Sequence, residues 1–316
     1  MTGDERCDVS AIVVSWNTAD LLDECLRSLA DGTPPGVSSE VIVVDNGSAD
    51  GSAELVRLRW PAAVLIANAE NRGFTKANNQ AIGVARGEFL LLINADAALA
   101  PGALERMVDA MRRDRSLGAV GPRLVYGDGS WQRWTAGRAP GLLSLASYFL
   151  FLERAARGRG IFAGLYLGRD VRERMDVDWV SSACMLVRRA AIDAVGPLDE
   201  RLFVYMDDVD LCQRLRDGGW RVQYVPDAQA IHHMGQSTKR RTGAASPEAL
   251  RSLNRYVRRR SGRSVALAVR AIEAAGFAMR TAACLAVWLA TGRAAFRSKA
   301  RAHWRYLVVS LEGSGT

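Results

Sequence analysis

Four carboxylates hold most of the chemistry this chain could do. They are Asp45 in VIVVDNGSADGS, Asp96 in LLLINADAAL, and the adjacent Asp207 and Asp208 in FVYMDDVDLCQRL. Asp45 and Asp96 each follow a run of apolar, strand-forming residues. A buried parallel strand that ends in Asp delivers its carboxylate to the carboxyl edge of a sheet, where open α/β sheets bind ligands. Carboxylates gathered at one crevice repel each other unless a cation or a proton separates them. The pattern points to a divalent metal ion holding a phosphorylated ligand, with one carboxylate left over as a base.

The elements that must position these groups follow from periodicity. AIVVSW (11–16), EVIVVD (40–45), AVLIAN (63–68) and EFLLLIN (88–94) read as four buried strands. Helices are expected over 19–30 with Asn17 and Thr18 as its cap, from Ser52, over 75–85, and from Pro101 to Arg113. GAVGPRLVY (118–126) reads as a fifth strand. Strand and helix alternate with no repeat period, which predicts an α/β fold with a doubly wound, mostly parallel sheet. The pattern loosens over 127–177, which contains Trp131, Trp134 and the apolar patch LLSLASYFLFL (142–152). WVSSACMLVRR (179–189) restores strand character, helices follow over 189–195 and 207–217, and WRVQYVP (220–226) is a late strand.

Charge divides the chain. The formal net charge is +8, but residues 238–316 carry 16 Lys/Arg against 3 Asp/Glu, leaving residues 1–237 at −5. An acidic body with a basic tail calls for an anionic partner at the tail. Ser246, Pro247 and Glu248 form a helix start, and residues 251–263 carry six Arg. Over 265–289, Arg270, Glu273, Arg280 and Thr281 share an arc of roughly 100° and the remaining circumference is apolar. The charge-free run 281–292 is shorter than the ~20 residues that a bilayer crossing needs. The expectation is a helix lying in an anionic membrane surface with its basic residues on lipid phosphates, joined there by the 142–152 patch. The five cysteines form no CxxC pair, and the polar, acidic MTGDERCDVS start lacks the form of a signal peptide. A cytoplasmic protein, peripheral on the inner face of the cell membrane, is expected.

IVVSWN (12–17), VVDNGSADGS (43–52), NRGFTKANNQAI (71–82) and LLINAD (91–96) resemble, in order, the nucleotide-sugar domain of the family 2 glycosyltransferases, which have the GT-A fold. The segment 178–237, from DWVSSACMLVRR through FVYMDDVDL to IHHMGQS, resembles the bacterial rhamnosyltransferase-like branch of that family. The resemblance implies a nucleotide-sugar-binding half over 1–126, an acceptor-binding and catalytic-base half over 127–237, and a basic helical tail over 238–316.

It also gives the residues roles. Asp45 would accept the imide N–H of a pyrimidine base, against the alternative of an Asx turn, with Ser15 and Asn17 lining the same pocket. Asn71, Arg72 and Gly73, ahead of a helix carrying Asn78, would lie near the sugar and diphosphate, where a turn exposes N–H donors. Asn94 and Asp96 stand at the family's metal-binding DxD motif with Asn in the first place, and His232 matches a metal-binding His. Asp96 and His232 would hold Mg²⁺ or Mn²⁺. Asp208 matches the general base, with Asp207 orienting it or touching the acceptor. Trp179, Ser181 and Ser182 fall in the acceptor stretch. The family usually has Gly where Ser182 stands.

The implied activity is inverting transfer of L-rhamnose from dTDP-rhamnose to a lipid-linked saccharide in cell-envelope glycan synthesis. Transfer of another hexose from UDP-glucose, UDP-galactose or GDP-mannose is the neighbouring alternative. A nucleotidyltransferase would show a Gly-rich, Lys-containing phosphate loop, which VSWNTADLL lacks. A nucleic-acid-binding tail would interleave aromatics with its arginines, and only Tyr256 does so. A catalytically silent glycan-binding protein would have no use for Asp96, Asp208 and His232 together. The oligomeric state is left open, a homo-oligomer included.

Overall fold

The computed structural model describes residues 7–152, 165–233 and 247–312. Two compact units divide the chain: Met1–Gly137 with Arg169–Arg241, and Arg138–Gly168 with Thr242–Thr316.

The first unit is a twisted sheet with helices on its faces. Strands β1 (Val9–Ser15), β2 (Ser39–Asp45), β3 (Val64–Ala67) and β4 (Phe89–Asn94) pair in parallel in the order β3-β2-β1-β4. Helices α1 (Ala19–Gly32), α2 (Ser52–Arg59) and α3 (Phe74–Val84) make the crossovers. Phe89, Leu90, Leu91, Leu92 and Ile93 are all buried, because β4 lies at the sheet's centre with both faces covered. Burying each such side chain contributes about 1.5–3 kcal/mol. On α1, Leu22, Cys25, Leu26 and Leu29 face the sheet, as their helical spacing predicts.

Past β4 the sheet becomes mixed. β5 (Ala97–Leu99), α4 (Ala103–Arg113) and β6 (Leu117–Val125) follow. The stretch read as one strand over 179–189 breaks into β9 (Trp179–Val180) and β10 (Cys184–Arg188), and β10 inserts antiparallel between β4 and β6. The late strand β11 runs Arg221–His232, longer than expected, beside β6 in parallel and β5 antiparallel. Short strands β7 (Ala136–Gly137) and β8 (Met175–Asp176) pair with β9 and β11. Helices α6 (Arg189–Val195) and α7 (Asp207–Asp217) complete the unit.

The expected cap of α1 is also different. Thr18 turns its hydroxyl to Ser15 (3.1 Å), and the first helical N–H, from Ala19, goes to Asp50 Oδ2 at 2.9 Å. Asp50 Oδ1 accepts from Ser52 at the start of α2, so one carboxylate caps two helices.

The second unit holds α5 (Leu142–Phe149), α8 (Glu248–Thr291, broken at Gly262 by φ 83°) and α9 (Ala294–Leu311). Ser246, and 234–237 of the His-containing loop, lie outside the described residues. The polar arc of α8 does not face outward, as expected, but into the unit. Glu273 is fully buried and accepts from Asn254 Nδ2 (2.9 Å). Arg270 donates to the main-chain carbonyls of Ser310 and Glu312, and Arg280 to that of Phe149. Leu267, Met279, Leu285 and Leu289 of the opposite, apolar face are exposed. Burial of this polar stripe is offset by the hydrogen bonds it makes within the unit.

Candidate active site

The carboxyl ends of β1, β2 and β4 lie side by side: Ser15 is in register with Asp45, and Val14 with Asn94. Asp45 is buried, and its Oδ2 accepts from Ser48 N at 3.1 Å, a local side-chain-to-backbone turn one residue longer than the Asx turn of the alternative reading. Its Oδ1 is buried and accepts no hydrogen bond. A buried acceptor without a donor is costly, and a ligand N–H at this edge would satisfy it. The turn uses one oxygen of the carboxylate and leaves the other open to a donor. Asn17, at φ 54°, ties its amide oxygen to Ala49 N and its own N–H to Ser48 Oγ, which fixes the wall beside Asp45. Ser15 is buried against Thr18 and supports that wall from below.

The loop before α3 is tied internally. Asn46, which sequence reasoning missed, donates to Asn71 Oδ1 (3.0 Å) and the Gly73 carbonyl, and accepts from Arg72 N (3.0 Å). Gly73 N donates to Asn71 Oδ1 at 2.9 Å. The amides expected to meet phosphate are thus satisfied within the loop, and its outward offering is the exposed Arg72 side chain. Asn78 is buried and donates to Phe74 O, so it serves the helix rather than a ligand.

Asp96 and His232 converge although 136 positions separate them. His232 Nε2 lies 3.4 Å from Asp96 Oδ1 and 3.4 Å from Asn94 Nδ2. β11 brings His232 there, and His233 N donates to Asp96 O to close the strand end. Gln132, also missed, sets the ring. Its Nε2 donates to the main-chain carbonyls of His232 and Val125, so its Oε1 faces His232 Nδ1 at 3.1 Å. That amide orientation puts the imidazole proton on Nδ1 and leaves the Nε2 lone pair for a cation. The Nε2-to-Asp96 spacing suits two ligands of one divalent ion bound at about 2.1 Å. Among the described residues no three His, Cys, Asp or Glu side chains converge, so the remaining ligands would be diphosphate oxygens and water.

Asp207 and Asp208 open α7. Ser182 Oγ donates to Asp207 Oδ2 at 2.8 Å, and Asp208 Oδ1 accepts from Val209 N at 2.8 Å. Burial, and then the neighbouring Asp207 charge, push the Asp208 carboxyl up to about 7; burial raises Asp207 as well. A carboxyl titrating there is matched to general-base work at neutral pH. Ser182 and Trp179, expected to touch acceptor, are buried; Ser181 is the more open of the three. Ser182 therefore replaces the usual Gly with a donor for Asp207. Ser182 also neighbours the Asp96–His232 pair, because Asn94 N donates to the carbonyl of Ala183 at 3.0 Å. Cys184 is buried and its thiol is pushed up to about 12 by desolvation, which removes it as a nucleophile.

Comparison with known proteins identifies the family. The Glycosyl transferase family 2 model matches residues 10–196. A Mycobacterium tuberculosis protein named N-acetylglucosaminyl-diphospho-decaprenol L-rhamnosyltransferase is 33% identical over 240 residues, covering 72% of this chain and 77% of its own. The mannosyltransferase PcManGT from Pyrobaculum calidifontis, solved with GDP-Man and Mn²⁺, superposes with TM-score 0.55 at 21% identity, over 97% of this chain and 86% of that one. GalNAc-T7, solved with UDP, GalNAc and Mn²⁺, gives TM-score 0.54 at 15% identity, over 79% and 48%. The last two show the shared fold. The chain belongs to glycosyl transferase family 2 and is a nucleotide-sugar glycosyltransferase.

Proposed function

We propose that the protein transfers L-rhamnose, with inversion, from dTDP-rhamnose to a lipid-linked saccharide at the inner face of the cell membrane. One observation carries the reading: the 181–183 turn joins the two halves of the chemistry. Ser182 holds Asp207, and Ala183 is bonded to Asn94 beside Asp96 and His232. In this reading Asp45 Oδ1 accepts the base N–H, Asn17 closes the base pocket, and Arg72 meets the diphosphate. Asp96 and His232, with Asn94 beside them, would hold Mg²⁺ or Mn²⁺, which when bound would neutralise charge on the leaving diphosphate. Asp208 takes the proton of the acceptor hydroxyl as that oxygen bonds to the anomeric carbon and the bond to phosphate breaks on the opposite face. The M. tuberculosis relative's name supports both the sugar and a polyprenyl-diphosphate acceptor.

The exposed apolar stripe of the second unit supports the membrane reading. α8 contains an 18-residue window of mean hydropathy 1.4 of which only 11% is buried, so it is not the core helix of a water-soluble bundle. Its exposed apolar stripe over 267–289 is about 33 Å long at 1.5 Å per residue. α9 packs along α8 and exposes Arg297, Lys299, Arg301 and Arg305, which cannot enter hydrocarbon. The unit therefore lies flat, with the stripe in the acyl boundary and these cations at headgroup level.

A donor panel tests the sugar: dTDP-rhamnose, UDP-glucose, UDP-galactose and GDP-mannose, scored by binding and by slow hydrolysis with Mn²⁺. Selective turnover of dTDP-rhamnose is expected. Preference for a UDP- or GDP-sugar overturns the donor assignment while leaving the enzyme class intact.

A further inference from the structure

The loop 196–206 between α6 and α7 is fastened to the start of α3. Asn79 makes a two-way pair with Leu198: its Oδ1 accepts from Leu198 N (3.0 Å) and its Nδ2 donates to Leu198 O (2.8 Å). Thr75, fully buried, donates through Oγ1 to Leu202 O at 2.7 Å. Phe74 N donates to Phe203 O at 2.9 Å. The approach is close as well. Gly73 sits at φ +88°, and a Cβ there would lie 2.7 Å from the Phe203 ring.

Directly after these contacts, Tyr205 and Met206 both take positive φ, at 66° and 65°, and Asp207 follows. Two consecutive non-glycine residues in the left-handed region cost of order 1–3 kcal/mol each, and persist only where the surroundings over-determine them. Here the α3 contacts hold one side and the Ser182–Asp207 bond the other. The same first turn of α3 carries the loop of Asn71, Arg72 and Gly73, which Asn46 fixes to the end of β2. One hydrogen-bonded frame thus runs from the donor loop to the base.

We propose that Thr75 and Asn79 are positioning residues for the reaction. They latch the 196–206 loop onto α3, so that the strained Tyr205–Met206 step sets Asp208 at a fixed place relative to the donor's anomeric carbon. This rests on the general-base reading of Asp208. Displacing a catalytic group by about 1 Å costs on the order of 10²-fold in rate, so the latch acts on turnover and not on donor affinity.

The test uses the full chain, with Thr75→Val, Thr75→Ser and Asn79→Leu, each also combined with Asp208→Asn. Donor affinity is measured with dTDP, and turnover with the preferred donor of the panel. Thr75→Val is expected to lower kcat about 10- to 100-fold with dTDP affinity within about twofold, and Thr75→Ser to recover most of the loss. In the Asp208→Asn background Thr75→Val should cost little more, because there is no base left to misplace. Asn79→Leu, at the half-buried far end of the loop, should behave alike and serves if Thr75→Val does not fold. Unchanged kcat, an equal loss of dTDP affinity, no recovery by Ser, or full additivity with Asp208→Asn each overturn the latch. If Asp208→Asn alone keeps its turnover, the base assignment has failed instead, and the latch falls with it.

Discussion

Asp208→Asn separates the two consequences of placing a half-buried carboxylate as the proposed base. The carboxyl is raised from 3.8 to about 7, and at 1.36 kcal/mol per unit that interval corresponds to about 4 kcal/mol as an upper bound. The sign follows from proton counts. Between these values the folded state holds a proton that the unfolded chain has released, so stability falls as pH rises through the window and levels off above 7. Asn keeps an oxygen for Val209 N but carries no charge to bury. The variant should therefore be more stable than the parent at pH 8, by about 1–4 kcal/mol, and the gap should shrink at pH 5. Its kcat should drop by about two to four orders of magnitude with donor affinity nearly intact. The parent's kcat/KM should fall tenfold per unit below about pH 7. Urea unfolding at the two pH values, with a pH–rate profile of the parent, reads all of this. A variant less stable at pH 8, or one that keeps its turnover, refutes the reasoning; in the second case Asp207 becomes the next candidate.

Asp45→Ala removes the unpartnered acceptor and should weaken dTDP binding while changing kcat little; calorimetry checks the split, and a pure kcat effect contradicts the base contact. EDTA should abolish transfer and Mg²⁺ or Mn²⁺ restore it, with full activity in excess chelator sinking the metal assignment. Gln132→Leu releases the His232 ring and should weaken Mn²⁺ affinity about 10- to 100-fold, measured by metal titration of the rate. Leu285→Glu places a charge in the exposed stripe of α8 and should reduce flotation with both neutral and anionic vesicles, whereas added salt should reduce only the anionic preference; a stripe variant that floats like the parent means that this face packs on protein.

Much of the site was legible because strand ends and charges are local. The runs before Asp45 and Asp96 predicted both strands, and the order of the motifs predicted the family. What escaped depends on non-local pairing. Nothing between Ser181 and Ala183 announces a turn, yet the strand breaks there, and Ser182 becomes a donor to a residue 25 positions away. Gln132 has no sequence signature, because its role exists only once β11 has brought His232 beside it. Asn46 was hidden inside an Asn-Gly turn signal. The arc of Arg270, Glu273, Arg280 and Thr281 was read correctly as a stripe. Its direction was not readable, since periodicity is blind to which side is wet.

The antiparallel insertion of β10 has a consequence for how the chain is made. β4 ends at Asn94, and the strand that covers its open side begins at Cys184, about 90 residues later. At ~5–20 residues per second, a ribosome needs roughly 5–20 seconds to supply it. Through that interval a nascent chain with the parallel half already assembled carries Phe89–Asn94 as a raw, apolar sheet edge, a template for any other strand that meets it. The parallel half therefore keeps an unpaired edge until Cys184–Arg188 arrives, although it already contains Asp45 and Asp96. Slower synthesis of 95–184 lengthens that exposure and with it the opportunity for aggregation.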